Sequence, residues 1–351
     1  MDQSADLQAR IIEARTSGIA LNLVGGSSKA FYGRNPTGTN LDVSRNKGII
    51  DYQPGELTLT ARGGTTMEEI AAALAEHDQM LPFEPPRFGN SATLAGTIAC
   101  GLAGPRRPWA GSVRDYLLGV RLLTGTGKDM RIGSPVMKNV AGYDLFRPMA
   151  GAMGTLGLLL EIIIKVLPRP RSERTLSIQC SIDDAGKLLA GWQRASLPLS
   201  AACHIDDTLY IRLSGAVQAV DAGIDALGNT AQDSDNVFWH ELNEQTLPFF
   251  NQDRPLYRLV LPATASYPVE TDKALIDWGG RQHWLYSDRS FDDIQHMAKD
   301  QGGHASVFRN GDRNADVFQS LPAPVLQLQQ RIRQALDPDR ILNPGRLYKD
   351  L

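Results

Sequence analysis

In the first half of the chain, apolar residues recur at helical spacing in some segments and at strand spacing in others. Residues 6–16 carry apolar positions at helical spacing and predict a helix. Thr66 and Glu69 fit a capping box, which predicts a second helix that ends near His77. The prolines of residues 81–86 exclude regular structure there, because proline locks φ and lacks an amide donor. Short apolar runs predict strands at residues 19–24, 57–61, 116–123 and 157–166.

The second half of the chain alternates strand and helix patterns. Asp206 and Asp207 separate two of the strands and predict a hairpin. This alternation is typical of an α+β domain, in which helices cover an antiparallel sheet. The predicted strands are residues 176–182, 201–205, 208–213, 257–261, 283–287 and 305–309, and the predicted helices are residues 216–227, 271–277, 291–300 and 325–336. The last helix carries on one face Val325, Leu328, Ile332 and Leu336.

Composition and charge exclude several classes of protein. The chain has 351 residues, 42% of them apolar, and a net charge of −3, which favours a globular protein without electrostatic attraction to nucleic acid. Its three cysteines and the lack of a CxxC pair argue against a disulfide framework and against an iron–sulfur or zinc site of its own. The chain starts without an apolar signal core, and its longest apolar run, residues 156–164, is too short to span a bilayer. We therefore expect a cytoplasmic protein, with any membrane association made through a larger complex.

Three glycine-rich segments lie in the first half of the chain. Residues 25–29 (Gly-Gly-Ser-Ser-Lys) follow a predicted strand, residues 89–104 are rich in Gly and Ala, and Gly151, Gly154 and Gly157 precede another strand. Glycine permits the backbone to approach a bulky ligand closely. The first segment lacks the GxGxxG and GxxxxGK[ST] spacings of the common nucleotide-binding loops. Its amides, two hydroxyls and lysine suit a pyrophosphate, although a plain strand-to-loop turn explains the segment equally well when it is taken alone.

A pair of arginines, Arg106 and Arg107, lies at the end of the second glycine-rich stretch, between Gly104 and Gly111. Guanidinium groups suit the bidentate recognition of phosphate and carboxylate. The pair either faces an anion or lies in a solvated loop, and the sequence leaves both interpretations open.

In this order and spacing, the three glycine-rich segments resemble the flavoprotein family typified by vanillyl-alcohol oxidase and p-cresol methylhydroxylase (PCMH). The resemblance covers residues 1–168 and the Ile-Leu-Asn-Pro-Gly of residues 341–345, with Ala95 in place of one of the usual glycines. A more specific set of blocks resembles the small FAD-binding subunits of bacterial glycolate oxidases. These blocks are residues 83–89, 104–119, 138–145, 302–309 and 341–347.

The resemblance implies a fold of the α+β class. It consists of a two-subdomain FAD-binding domain of the PCMH type and a smaller α+β antiparallel cap domain. Pro168 and Pro170 indicate the boundary between the two. We therefore expect the FAD-binding domain at residues 1–168, the cap at residues 169–322, and a C-terminal helix and Asn-Pro-Gly turn at residues 323–351 that returns to the flavin.

The resemblance also implies which residues hold the FAD. The first glycine-rich segment becomes the pyrophosphate turn, residues 111–115 lie on the approach to the nucleotide, and Asn343 returns toward the isoalloxazine. The implied FAD-binding residues are Gly25, Gly26, Ser27, Ser28, Lys29, Thr93, Leu94, Gly96, Thr97, Gly111, Ser112, Val113, Asp115, Gly154, Gly157, Leu158 and Asn343.

The activity implied by the resemblance is the FAD-dependent oxidation of glycolate, or of a similar 2-hydroxy acid, to glyoxylate. The implied partners are a larger FAD-binding subunit and an iron–sulfur subunit that receives the electrons. Whether this chain oxidises the substrate, or its FAD only serves electron transfer or assembly, stays open. Two other hypotheses are a stand-alone flavin enzyme of the same fold, such as an aldonolactone oxidase or an enolpyruvyl-sugar reductase, and a structural subunit without cofactor.

The sequence identifies no catalytic residue and no metal ligand set. Related 2-hydroxy-acid dehydrogenases of the larger-subunit type carry a dense histidine-rich motif near the C-terminus, and this chain lacks such a motif. His304 stands isolated between glycine and alanine. It is either a structural histidine or a base near the flavin, since histidine titrates near neutral pH.

We predict that the FAD is bound noncovalently. Relatives with covalent flavin often carry a histidine in the first glycine-rich turn, and residues 25–29 contain neither histidine nor cysteine. Acid precipitation of the flavin-loaded protein is expected to leave the yellow colour in the supernatant. Flavin that stays with the pellet would contradict the prediction.

Overall fold

The computed structural model describes residues 1–134, 144–228, 231–263, 265 and 274–350. Most of the sequence block 138–145, and residues 271–273 of the predicted helix 271–277, lie outside the described residues.

The part of the chain before residue 169 contains two small sheets and one larger sheet. The helices predicted at residues 6–16 and after Thr66 are confirmed, as are the four predicted strands. In chain order the elements are α1 (Ser4–Thr16), β1 (Leu21–Val24), β2 (Thr39–Asp42), β3 (Ile49–Gln53), β4 (Thr58–Arg62), α2 (Met67–Ala75), β5 (Gln79–Met80), α3 (Leu94–Cys100), α4 (Arg107–Ala110), α5 (Val113–Tyr116), β6 (Leu117–Leu123), β7 (Asp129–Gly133), β8 (Leu158–Lys165) and β9 (Leu167–Pro168).

The remainder of the chain builds one large sheet and the helices that cover it. The hairpin around Asp206 and Asp207 is confirmed. In chain order the elements are β10 (Ser172–Gln179), α6 (Ile182–Arg194), β11 (Leu199–Ile205), β12 (Thr208–Gly215), α7 (Val217–Leu227), β13 (Gln232–Ser234), α8 (Val237–Glu244), β14 (Leu256–Val260), β15 (Ala274–Asp277), β16 (Gln282–Tyr286), α9 (Phe291–Asp300), β17 (His304–Arg309) and α10 (Ala323–Leu336).

The N-terminal and the C-terminal part of the chain form separate sheets. In the N-terminal part, β1 and β2 are parallel, β5 pairs with β9, and a five-stranded antiparallel sheet has the order β3-β4-β8-β6-β7. The C-terminal part is an eight-stranded antiparallel sheet of order β13-β10-β12-β11-β15-β16-β14-β17. Mixed helices and antiparallel sheets confirm the predicted α+β class.

Local sequence explains why α2 begins where it does. The Thr66 hydroxyl accepts a hydrogen bond from the Glu69 amide at 3.1 Å, and the Glu69 carboxylate accepts one from the Thr66 amide at 2.9 Å. This capping box satisfies two amides that the first turn of a helix leaves without partners. α2 then buries Met67, Ile70 and Leu74 in the core below the five-stranded sheet.

The two faces of the eight-stranded sheet pack against different parts of the molecule. Near its β14–β17 edge, one face carries Leu259 and Val307 into a core that α9 covers with Ile294. The opposite face carries Leu275 and Trp284 into a core shared with N-terminal residues: Tyr32, Leu102 and Met153. The second face therefore lies against the segment that follows β1 and against the loops after α3 and before β8.

Four charged side chains join the N-terminal part to the eight-stranded sheet. Glu84 accepts hydrogen bonds from Arg106 at 2.9 Å and from Arg212 of β12 at 2.8 Å. Glu173 of β10 lies 2.5 Å from Arg106 and 3.8 Å from Arg212. Burial opposes the charged form of Glu173, but Arg212 and Arg106 outweigh it and lower the pKa of this carboxyl. Arg106 therefore pairs with carboxylates of the protein itself and does not lie in a solvated loop. For Arg106, this settles the choice that the sequence left open.

Two expectations about the C-terminal half are wrong. Residues 274–277 form strand β15 where a helix was expected, because Leu275 and Ile276 pair with Trp284 and His283 of β16. The strand expected at residues 176–182 ends at Gln179, since the Ser181 hydroxyl caps α6.

The helix predicted at residues 325–336 is confirmed as α10. The expected apolar face lies partly in solvent: Val325 is 42% and Leu328 is 58% exposed. Arg333 is the helix's one buried residue, so a charged side chain anchors α10.

We predict that the charge cluster contributes strongly to stability. An Arg212→Met substitution leaves two part-buried carboxylates with one guanidinium, and it should lower the free energy of unfolding by about 3 kcal/mol. The matched control is Arg254→Met, which removes an exposed ion pair with Asp288 and should cost less than about 1 kcal/mol. Urea unfolding measures both values. Equal effects of the two substitutions would contradict the prediction.

Candidate cofactor site

The turn after β1 is tightly packed at its two glycines. A Cβ on Gly26 would lie 1.4 Å from the Ser91 carbonyl oxygen, and a Cβ on Gly25 would lie 2.8 Å from the Thr93 hydroxyl. The Ser91 hydroxyl donates a hydrogen bond to the Gly26 carbonyl oxygen at 2.6 Å. The first and second glycine-rich segments are therefore in direct backbone contact, as halves of one wall.

Helix α3 forms the next part of the site. Thr93 caps the helix by accepting a hydrogen bond from the Gly96 amide at 3.3 Å. Ala95, which replaces one of the glycines usual in the resembling family, lies in the same wall. Its small side chain keeps the wall open, so the replacement does not block the site.

Asn343 joins three distant segments through its side chain and backbone. Its Oδ1 accepts a hydrogen bond from the Leu23 amide at 2.7 Å, and its Nδ2 donates one to the Met153 carbonyl oxygen at 2.6 Å. Its backbone amide donates to the Leu21 carbonyl oxygen at 2.9 Å. A Cβ on Gly154, whose φ is +75°, would lie 2.7 Å from the Asn343 amide nitrogen. Glycine is therefore required beside this amide.

The turn that carries Asn343 is held from its far side by a buried pair. The Arg333 guanidinium of α10 donates to the Leu342 carbonyl oxygen at 2.9 Å. The Asp337 carboxylate accepts hydrogen bonds from the Ile341 amide at 3.1 Å and from the Leu342 amide at 2.9 Å. The C-terminal segment is thereby fixed independently of any ligand.

These segments enclose a cavity of about 300 Å³, which we call the cofactor cavity. It brings together most of the residues that the sequence implied. The implied residues that line it are Gly25, Gly26, Ser27, Ser28, Lys29, Thr93, Gly96, Gly154, Gly157, Leu158 and Asn343.

The other implied residues do not line the cavity. Leu94 and Val113 are core residues, and Thr97 is buried. Residues 111–115 form a turn in which the Asp115 carboxylate accepts a hydrogen bond from the Ser112 amide at 2.7 Å, as the cap of α5. Asp115 is thereby committed to a local structural role.

Sequence reasoning missed several residues of the cavity wall, of which two arginines matter most. Arg313 donates to the Gly33 carbonyl oxygen at 2.8 Å, and Arg346 donates to that of Tyr32 at 2.7 Å. Burial and the neighbouring Arg313 lower the pKa of Arg346 to about 10, so it remains a cation at neutral pH. Arg346 directly follows the Asn-Pro-Gly turn, which is the one signal that points to it, whereas no pattern marks Arg313.

Lys29 supplies a third cation to the wall. The side chain is 7% exposed, and its Nζ lies 3.3 Å from the Arg87 carbonyl oxygen. Burial lowers the pKa of this amine, while Cys100 and Glu244 act in the opposite direction. Three cations and the glycine turn suit an anionic diphosphate, and the apolar side chains of Leu23, Val43 and Leu159 suit flat rings. The donor set and the shape of the wall therefore fit FAD.

His304 lies away from this cavity. It begins β17, is exposed, and is not among the residues that line the cofactor cavity. The structure thus brings the implied cofactor residues together but does not bring His304 to them.

Comparison with known proteins places the chain among flavoproteins. Residues 1–133 match the FAD binding domain family FAD_binding_4. The chain is 46% identical over 350 residues to glycolate oxidase subunit GlcE of Escherichia coli (strain K12), which covers all of this chain and 99% of that protein. It is 32% identical over 143 residues to glycolate oxidase subunit GlcD of Bacillus subtilis (strain 168), over 40% of this chain and 30% of that protein.

The fold is shared with p-cresol methylhydroxylase. The crystal structure of that enzyme with substrate bound superposes with a TM-score of 0.77 at 15% identity, over 100% of this chain and 88% of that one. This likeness confirms the PCMH-type fold. Among the described residues, no helix is long and apolar enough to cross a membrane.

We predict that the Asn343 amide is required for FAD binding. Asn343→Ala leaves the Leu23 amide and the Met153 carbonyl without these partners, which should weaken FAD affinity at least about tenfold. Asn343→Asp keeps the acceptor but loses the donor, so its effect should be intermediate. Titration of FAD fluorescence measures the affinities. Asn35→Ala, which removes an exposed amide pair with Asn314, is the control and should leave them unchanged.

An FAD affinity of Asn343→Ala equal to that of the unaltered chain would contradict the role of this amide. A loss of affinity in Asn35→Ala as well would show that the assay reports general destabilisation.

Proposed function

Because the chain belongs to the GlcE family of glycolate oxidase subunits, we propose that it is the FAD-binding small subunit of a glycolate oxidase complex. The complex oxidises glycolate to glyoxylate, or a similar 2-hydroxy acid to the corresponding 2-oxo acid. The observation that carries the proposal is the 46% identity over the full length of GlcE, together with a cavity whose wall fits FAD. The complex is multi-subunit, since both named glycolate oxidase relatives are subunits.

The proposed partners are a larger FAD-binding subunit and an iron–sulfur subunit. The partial likeness to GlcD supports the first, because that protein is a glycolate oxidase subunit and the match covers only 30% of its length, so it is a longer chain. The sequence has three cysteines and no CxxC pair, which supports a separate chain as the carrier of iron–sulfur clusters. The cytoplasmic location stays a prediction.

The cofactor residues of this proposal are the implied residues that line the cofactor cavity, together with Arg313, Arg346 and Leu159 from its wall. Bound FAD supplies the capacity to accept a hydride equivalent from a hydroxy acid. The turn at Gly25–Gly26 and the cations of Lys29, Arg313 and Arg346 would hold the diphosphate. Apolar side chains such as Leu159 would exclude water from the rings.

The three-part division of the chain is also proposed. An FAD-binding domain at residues 1–168 agrees with the N-terminal sheets, and a cap at residues 169–322 agrees with the eight-stranded sheet. Residues 323–351 return through α10 to the cofactor cavity, where Asn343 lies in the wall.

The visible spectrum of the purified chain, recorded before and after glycolate is added without oxygen, tests the function. We expect flavin bands after reconstitution with FAD. Bleaching by glycolate supports direct oxidation by this subunit, whereas unbleached flavin that is reduced only in the assembled complex supports an electron-transfer role. Absence of flavin bands after reconstitution would overturn the proposal in favour of a structural subunit.

A pull-down from the native host separates the complex from a stand-alone enzyme. We expect a second flavin chain and an iron–sulfur chain to be recovered with this one. Turnover by the isolated chain together with recovery of neither partner would overturn the proposed complex.

A further inference from the structure

Residues 33–37, which we call the hinge loop, lead from the segment after the glycine turn to β2 and contribute Pro36 to the wall of the cofactor cavity. Gly33 and Gly38 flank the loop, with φ of +82° and +104°. The last three residues of the loop are exposed, whereas Tyr32, which precedes it, is buried in the aromatic core. The loop is therefore anchored at its start and depends on other contacts to stay in place.

Two arginines from the C-terminal part of the chain hold the hinge loop by carbonyl oxygens. The Arg313 Nε donates a hydrogen bond to the Gly33 carbonyl oxygen at 2.8 Å, and its Nη2 donates one to the Arg34 carbonyl oxygen at 3.2 Å. Arg346 donates to the Arg34 carbonyl oxygen through Nη1 and to the Tyr32 carbonyl oxygen through Nη2. Both guanidiniums therefore tie the loop to the C-terminal part.

Arg34 provides bonds in the opposite direction. Its Nε donates a hydrogen bond to the Gly345 carbonyl oxygen at 3.0 Å. Its backbone amide donates to the Arg346 carbonyl oxygen at 3.1 Å, and the next amide, that of Asn35, donates to the Arg313 carbonyl oxygen at 2.9 Å. We call the three arginines of this network the arginine clasp.

Two members of the arginine clasp lack a counterion. Arg313 and Arg346 both line the cofactor cavity, and neither forms an ion pair within the part of the chain that the structure describes. Burial and the charge of Arg313 lower the pKa of Arg346. Each guanidinium also keeps a nitrogen without a hydrogen-bond partner among the described residues, Nη1 in Arg313 and Nε in Arg346. Two adjacent cations with donors to spare suit a divalent or diphosphate anion.

We propose that the arginine clasp closes on the diphosphate of a bound nucleotide, and that the hinge loop opens more readily without it. That the nucleotide is FAD rests on the proposed function. Arg313 and Arg346 use some of their donors for the loop and the others for the anion, so that binding offsets their mutual repulsion and strengthens the closed arrangement. Because Arg333 and Asp337 fix the turn that carries Asn343, the hinge loop is the part that moves.

Arg34 is the positioning residue of the clasp. It does not line the cofactor cavity, and its Nη1 lies 3.3 Å from the Asp316 carboxylate, so its charge is already paired. Its bond to the Gly345 carbonyl oxygen holds the residue next to Arg346. Loss of the Arg34 side chain should therefore speed the release of a bound nucleotide without removing a cation from the cavity.

Hydrogen exchange of the Arg34 and Asn35 amides measures the opening of the clasp, because both amides donate across it. Exchange is recorded without ligand, with FAD, with ADP, which has the diphosphate but no flavin, and with FMN, which has the flavin but one phosphate. At about 100 times its dissociation constant, a ligand that binds only the closed clasp slows exchange about a hundredfold. We expect this slowing with FAD and ADP and much less with FMN. The Ile294 amide, bonded within α9, is the internal control and should be unaffected.

Variants distinguish an anion-dependent clasp from a purely structural contact. Arg313→Gln keeps a side-chain donor but removes one cation, so the slowing by ADP should fall at least about tenfold. A purely structural role would speed exchange equally with and without ADP and leave their ratio unchanged, which would overturn the clasp. Arg346→Gln is the second variant of this kind, and circular dichroism establishes that each variant is folded.

The positioning role of Arg34 is tested by the rate of FAD release. Arg34→Met should increase the dissociation rate about fivefold, because the hydrogen bonds that hold Arg346 in place are weakened. The matched control is Arg254→Met, which removes an exposed ion pair outside the cofactor cavity and should leave this rate unchanged. Equal rates in Arg34→Met and the unaltered chain would contradict the role of Arg34.

The outcomes separate the clasp from the proposed function. FAD that binds without slowing the Arg34 and Asn35 amides would overturn the clasp and leave the proposed function standing. Equal slowing by ADP and FMN, or equal slowing of the Ile294 amide, would also overturn the clasp. Failure to bind FAD would instead overturn the proposed function.

Discussion

The side-chain amide of Asn343 holds together stretches of chain that are up to 320 residues apart. It accepts from β1, donates to the loop that precedes β8, and sits on a turn fixed by Arg333 and Asp337. A side-chain amide can do this because it carries an acceptor and a donor in one rigid plane. The protein's own hydrogen bonds thus hold the wall of the cofactor cavity together. The close approach of Gly26 to Ser91 joins a further part of this wall.

The eight-stranded sheet packs an aromatic core beside that cavity, and Met153 belongs to both. Glu84, Glu173, Arg106 and Arg212 fix the sheet against the N-terminal part, and the aromatic core around Trp284 and Phe308 fills most of the space between them. A small volume beside Arg258 and Asp277 remains.

Elements with a local signal were predicted well. The amphipathic spacing of α1, the capping box of α2 and the turn between β11 and β12 all act within a few residues, so the sequence contains their cause. Strands β2 and β3 were missed, because most of their residues are exposed or half-buried and show no apolar alternation. β15 was mistaken for a helix, because its pairing with β16 is made by residues that lie beyond a turn.

Site residues, too, were predicted where a local pattern marks them and missed where only distant contacts place them. The glycine turn and Asn343 were found from a resemblance to known flavoproteins, whereas Arg313 reaches the cavity through contacts with residues about 280 positions away, which no local pattern shows. Asp277 lay inside the wrongly predicted helix, so the pocket beside it could not be anticipated.

The most direct measurement is an experimental structure of the purified complex with its flavins bound. The account predicts flavin density in this chain, between the Gly25–Gly26 turn and Asn343, in addition to flavin in the larger subunit. Flavin in the larger subunit alone, with this cavity filled by protein side chains, would contradict it.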